Sequence, residues 1–133
     1  MGGEVVELPD IQASEALGRR LAAAWLERGH LITLSGDLGV GKTALARAII
    51  GTRLQADGRG EAIPSPSFSL VQHYEAGALA ITHADLYRIE AAEEMRELDL
   101  EGALESGALL VEWPRFLDGL QPRARLDLSL IHI

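Results

Sequence analysis

The eight residues Gly36-Asp37-Leu38-Gly39-Val40-Gly41-Lys42-Thr43 follow the spacing G-x-x-x-x-G-K-[ST], and each residue type has a use in holding phosphate. Glycines let the backbone wrap an anion so that several N–H groups point inward, and a helix starting where the loop ends adds the positive end of its dipole. From such a loop the Lys42 ammonium reaches the β- and γ-phosphates of a nucleoside triphosphate, and the Thr43 hydroxyl ligates Mg2+. A chance match in a chain of this length is on the order of one in a few hundred. Lys42 is the only lysine in the sequence, and the other eleven Lys/Arg positions are all arginine. Composition alone would have put arginine here, whereas this loop uses a point-charge ammonium. The plain alternative is a glycine-rich turn that merely caps a helix.

Magnesium in such a site also calls for a carboxylate, usually at the end of a neighbouring strand. Asp85, after Ala80-Ile81-Thr82, and Glu112, after Leu109-Leu110-Val111, both fit a metal or catalytic role, against the plain reading of a solvated strand end. Pro64-Ser65-Pro66-Ser67-Phe68 is either an ordinary turn or a segment that brings the Ser67 hydroxyl toward the γ-phosphate, as switch loops do. His83, Tyr87 and Arg88 flank Asp85 and could orient water or phosphate, packing and surface roles being the plainer reading. Trp113 reads as a core residue before a stacking one. The sequence has no asparagine, so an N-K-x-D guanine reader is absent, and no L-S-G-G-Q signature occurs; adenine is the default base.

The elements that must carry these residues follow from periodicity. Glu4–Leu8 reads as a short strand, and Ala13, Leu17, Leu21, Ala24 and Trp25 recur at helical spacing up to a Gly29 stop. His30–Ser35 is a buried-strand candidate, the glycine loop follows, and Thr43–Ile50 continues as helix, so the motif lies between a strand and a helix as its chemistry requires. Residues 51–63 have no period and read as a surface loop. Residues 68–75 and 79–85 read as an antiparallel hairpin turning at Ala76-Gly77. Ala91–Leu98 reads as an acidic, exposed helix, Ala108–Glu112 as an apolar strand, and 125–133 as an alternating, edge-like strand. The fold class expected is α/β: one P-loop domain over residues 1–133, its sheet mostly parallel with an antiparallel hairpin and flanked by helices.

Bulk properties narrow the classes further. At 133 residues with 47% hydrophobic and 24% charged residues, the chain has ordinary globular composition and room for one sizeable core. No apolar run approaches the roughly 20 residues of a membrane span, and Met1-Gly2-Gly3-Glu4 lacks a basic leader, so a soluble, cytoplasmic protein without membrane contact is expected. With no cysteine, thiolate catalysis and disulfides are excluded. A net charge of −8 argues against DNA or a broad nucleic-acid footprint, because that binding runs on Lys and Arg neutralising phosphates.

Four ordered motifs, Gly36-Asp37-Leu38-Gly39-x-Gly41-Lys42-Thr43, Ser65-Pro66-Ser67-Phe68-Ser69-Leu70, His83-x-Asp85-Leu86-Tyr87-Arg88 and Glu112-Trp113-Pro114, together resemble the TsaE family. These are small bacterial P-loop ATPases required for threonylcarbamoyladenosine in transfer RNA, and the likeness runs from about Leu8 to about Pro122. The resemblance implies ATP and Mg2+ as cofactors, and hydrolysis coupled to a TsaB–TsaD type partner pair, with tRNA engaged only through those partners. It implies Lys42 and Thr43 on phosphates and Mg2+, Glu112 assisting metal or catalytic water, and Asp85 beside them. Ser67 would be a switch-like hydroxyl, and Pro9 and Trp113 would lie near the nucleotide. Three positions depart from the pattern: Ser67 stands where threonine is usual, Asp99 where glycine is usual, and the sequence ends at Ile133 where family members continue through a strand that can supply an arginine. A small-molecule kinase and a nucleotide-dependent binding module without turnover are the rival readings of the same loop.

Overall fold

The computed structural model describes residues 11–36, 41–56 and 71–130. Along the chain these form α1 (Ile11–Ala24), β1 (His30–Ser35), α2 (Lys42–Ala56), β2 (Val71–Ala76), β3 (Leu79–Asp85), a 3-10 helix (Ala92–Leu98), α3 (Leu100–Ser106), β4 (Gly107–Glu112) and β5 (Ala124–Ser129). The strand expected at Glu4–Leu8, the segment Pro64-Ser65-Pro66-Ser67-Phe68, the start of the hairpin strand expected over 68–75 and most of the expected 51–63 loop lie outside the described residues.

The five strands form one sheet in the order β2-β3-β4-β1-β5. β1 pairs in parallel with β4 and β5, β4 pairs in parallel with β3, and β2–β3 is the antiparallel hairpin. Every residue of β4 is buried, because it lies between β3 and β1 with packed side chains on both faces. An unbroken apolar run is the sequence form such a strand takes. β5 alternates between half-buried and exposed residues, as a flanking strand does.

Two apolar layers cover the sheet. Ile32 and Leu34 of β1, Ile81 of β3 and Leu110 of β4 face Ala22 and Leu26 and the α2 residues Leu45, Ile49 and Ile50. On the opposite face Leu31, Ala84, Leu109 and Val111 pack on Leu86, Leu100, Leu104 and Leu117. α1 and α2 approach so closely at Gly18 that a Cβ there would come 2.6 Å from the Cβ of Ala48.

The structure corrects four local expectations. α2 runs on to Ala56 through residues read as loop. Its extension is held by Arg53, whose Nη1 donates to the carbonyls of Ala22 and Leu26, while Thr52 Oγ1 donates to the Ala48 carbonyl. The hairpin turns at Gly77-Ala78, not at Ala76-Gly77, with Gly77 at φ 65°. The stretch read as a helix over Ala91–Leu98 is a 3-10 helix with no buried residue. α3 was not foreseen; it starts from Asp99, which holds φ 49°, ψ 51° and accepts the Gly102 N–H on its own side chain.

Candidate functional site

Strand register brings the site together. Leu34 pairs with Glu112, and Glu112 with Asp85, so the C-terminal ends of β1, β4 and β3 finish level with one another. In open α/β sheets this end is where ligands bind. The chain leaves β1 at Gly36 with φ 137° and enters α2 from Gly41 with φ 93°. A Cβ on Gly41 would meet nothing within 4 Å, so it is the backbone angle, which side chains other than glycine's disfavour, that fixes the residue type. The first residues of α2 are Lys42 and Thr43, whose backbone lies at the electropositive end of the helix.

Lys42 is only 5% exposed. Its Nζ donates to the Gly36 carbonyl at 2.6 Å and lies 4.0 Å from the centroid of the Trp113 ring, where the π-face attracts the cation. Trp113 follows β4 with φ 56°, a left-handed angle that costs an L-residue about 1–2 kcal/mol. Its N–H donates to the Leu34 carbonyl at 3.1 Å, which ties the turn to the end of β1 and keeps the ring over the lysine. On its other side the indole meets the half-exposed Tyr87 ring, 4.9 Å between centroids.

Glu112 ends β4 and is 2% exposed. Its Oε1 accepts the Thr43 hydroxyl proton at 2.8 Å, and its Oε2 lies 2.7 Å from Nε2 of His83. Burial alone would push this carboxyl upward, but the hydrogen bond and charge of His83, the Thr43 hydroxyl and the Lys42 ammonium outweigh it and leave the carboxyl below the ordinary range. Glu112 is therefore ionised at neutral pH. A hydroxyl can ligate a metal only through a lone pair, so its proton must be accepted elsewhere. Glu112 accepts it, which leaves the lone pairs of the Thr43 oxygen available to a hard cation.

Of the residues singled out from sequence, Gly36, Gly41, Lys42, Thr43, Glu112 and Trp113 come together here. Asp85 stands beside them in register with Glu112, and its Oδ1 accepts the Tyr87 N–H at 3.0 Å. Pro9, Asp37, Leu38, Gly39, Val40 and Ser67 lie outside the described residues. Sequence reading underrated His83, which is fully buried. The available signal was strand alternation: His83 and Asp85, two apart on β3, share the face that Glu112 presents one strand away. Among the described residues no helix is long and apolar enough to cross a membrane.

The family model described as "Threonylcarbamoyl adenosine biosynthesis protein TsaE" matches residues 8–133. The chain is 40% identical over 108 residues to the tRNA threonylcarbamoyladenosine biosynthesis protein TsaE of Rickettsia bellii, spanning 81% of this chain and 73% of that protein. It is 34% identical over 138 residues to the protein of the same name from Mycobacterium tuberculosis, spanning 97% and 79%. Among solved structures, the crystal structure of Bacillus subtilis YdiB superposes with a TM-score of 0.61 at 26% identity, covering 96% of this chain and 78% of that one.

Proposed function

This chain belongs to the TsaE family of threonylcarbamoyl adenosine biosynthesis proteins, and from that premise we propose that it binds and hydrolyses ATP as a cytoplasmic accessory subunit of tRNA threonylcarbamoyladenosine formation. It acts through a TsaB–TsaD type pair, which carries out the chemistry on tRNA, while its own hydrolysis resets that complex between rounds. The observation that carries this reading is the cluster where the N-terminus of α2 meets the end of β4: Lys42 and Glu112 are buried, and the Thr43 hydroxyl between them donates to Glu112. The net charge of −8 supports contact with tRNA through the partners instead of directly.

ATP, when bound, would supply the γ-phosphoryl group and Mg2+ would neutralise its charge. Lys42 exchanges the Gly36 carbonyl for phosphate oxygens, at little cost because its ammonium is already desolvated and held under Trp113. Backbone N–H groups of Asp37, Leu38, Gly39, Val40 and Gly41 would hold the phosphates. Thr43 donates its hydroxyl hydrogen bond to Glu112 and would offer its lone pairs to the metal. Asp85, anchored by the Tyr87 N–H, would order water on the metal side, and Ser67 would supply a hydroxyl to the γ-phosphate. Pro9 and Trp113 would border the nucleotide.

The test is phosphate release from ATP by the chain alone, by the TsaB–TsaD pair alone and by all three. Slow release alone, raised at least tenfold in the full mixture, is expected. Release at the same rate with and without the pair removes the coupling, and transfer of the phosphoryl group to a small acceptor would make the protein a kinase.

A further inference from the structure

His83 is a polar residue in a place built for an apolar one. It is wholly buried, its register partner on β4 is Leu110, and its neighbour on the same face of β3, Ile81, belongs to the apolar layer beneath α2. Its Nδ1 has no hydrogen-bond partner among the described residues, and leaving a buried polar atom unsatisfied is costly. What the imidazole provides that leucine would not is one contact, Nε2 to Oε2 of Glu112 at 2.7 Å.

Because Glu112 is ionised and can only accept, Nε2 must carry the proton. Glu112 is thus held from both ends, by Nε2–H on Oε2 and by the Thr43 hydroxyl on Oε1. Released from the imidazole, the carboxylate would be drawn toward the Lys42 ammonium nearby, and Oε1 would turn away from Thr43.

We propose that His83 is a positioning residue: by donating Nε2–H to Oε2 it fixes the rotation of the Glu112 carboxylate, so that Oε1 takes the Thr43 proton and the hydroxyl lone pairs stay turned toward the divalent cation of the nucleotide. The inference rests on the nucleotide-binding reading above. Its substance is a relay of orientation across three elements, β3, β4 and α2, in which the first member touches neither nucleotide nor metal.

Two measurements test it. Nitrogen NMR of the ligand-free protein reads the imidazole tautomer: a proton on Nε2 of His83 is expected, and a bare Nε2 overturns the proposal whatever the protein binds. Calorimetry then gives ATP affinity with Mg2+ and with EDTA for wild type, His83→Leu and His83→Gln. Glutamine's amide N–H reaches about as far as Nε2, and leucine fills the space without a donor. The gain in affinity on adding Mg2+ should fall about tenfold in His83→Leu and return to within threefold of wild type in His83→Gln, with EDTA affinities within twofold throughout. A folded His83→Leu variant with the wild-type Mg2+ gain overturns the proposal, as does a folded His83→Gln variant as impaired as the leucine one. If leucine prevents folding, His83→Asn replaces it, since its shorter amide cannot reach Oε2. Wild type that binds no ATP with Mg2+ present refutes the nucleotide reading itself, a result distinct from an unchanged gain in the variants.

Discussion

Replacing Glu112 by glutamine keeps the shape of the side chain and removes one acceptor and the charge. The carboxylate takes two protons, from His83 Nε2 and from Thr43 Oγ1, whereas an amide offers one oxygen and one NH2 group. The imidazole N–H is fixed by the buried ring, so the amide oxygen must face it and the NH2 must face Thr43. The hydroxyl, free to rotate, then accepts instead of donating. Its lone pair is consumed and its proton points where Mg2+ would be. A charge-assisted hydrogen bond of about 1.5–3 kcal/mol becomes a neutral one of about 0.5–1.5, and the hydroxyl ligand is lost in addition. Together these should lower affinity for Mg2+–ATP by about 2 kcal/mol, roughly 30-fold. Without Mg2+ the sign differs: removing a negative charge near the phosphates should leave affinity equal or higher. Calorimetry with Mg2+ and with EDTA separates the two. Affinities that fall together, or neither falling, would refute the opposed roles assigned to Thr43 and Glu112. The same variant has a pH signature. The folded-state pKa of Glu112 is lowered, so its contribution to stability is fully present above the ordinary carboxylate pKa of about 4.3 and is lost as pH falls through the lower folded value. Glutamine does not titrate, so the stability advantage of wild type over the variant in urea should be largest near pH 7 and shrink below about pH 4.

Lys42→Ala should weaken ATP binding by about a hundredfold or more, the weight of a charge-assisted contact near 3 kcal/mol; unchanged affinity in calorimetry would remove the phosphate-loop assignment. Gly107→Ala would place a Cβ 2.1 Å from the Ala80 carbonyl oxygen, an overpacking cost of about 3 kcal/mol and a loss of roughly 10 °C in Tm, and a Tm within 2 °C of wild type would show that β3 and β4 separate there with ease. At Asp99 the order of stability should be wild type, asparagine, glycine, alanine. Asparagine keeps both the cap and tolerance of the left-handed angle, glycine keeps only the angle, and alanine keeps neither, at about 2 kcal/mol; alanine ranking above glycine in urea unfolding would contradict the φ of 49°.

Sequence patterning carried the frame because the frame is local. The G-x-x-x-x-G-K-T spacing placed β1 and the start of α2, and alternation placed the hairpin turn to within a residue. What was illegible depended on partners far along the chain. Gly51-Thr52-Arg53 looks like a helix stop, yet Arg53 satisfies carbonyls 27 and 31 residues earlier, a tertiary contact that no local propensity registers. α3 is seven residues long and contains a glycine, so it lacks enough periods to be read, and its start depends on the left-handed Asp99. Glu112 was named as a carboxylate at a strand end, but its state depends on His83, 29 residues away, and that pairing follows from sheet order. At Asp99, aspartate tolerates the left-handed backbone angle and adds a cap.

Lys42 carries the only ε-amine in residues 1–133, and it is 95% covered, with an indole face against it. Lysine amines are the targets of acylation, and acylating reagents reach only those exposed to them. The chain therefore has a built-in reporter: the rate at which an amine-reactive label enters this side chain measures how often the ammonium leaves the Gly36 carbonyl and comes out from under Trp113. A bound triphosphate should protect it, the loss of the indole should expose it, and each label incorporated marks one molecule caught open.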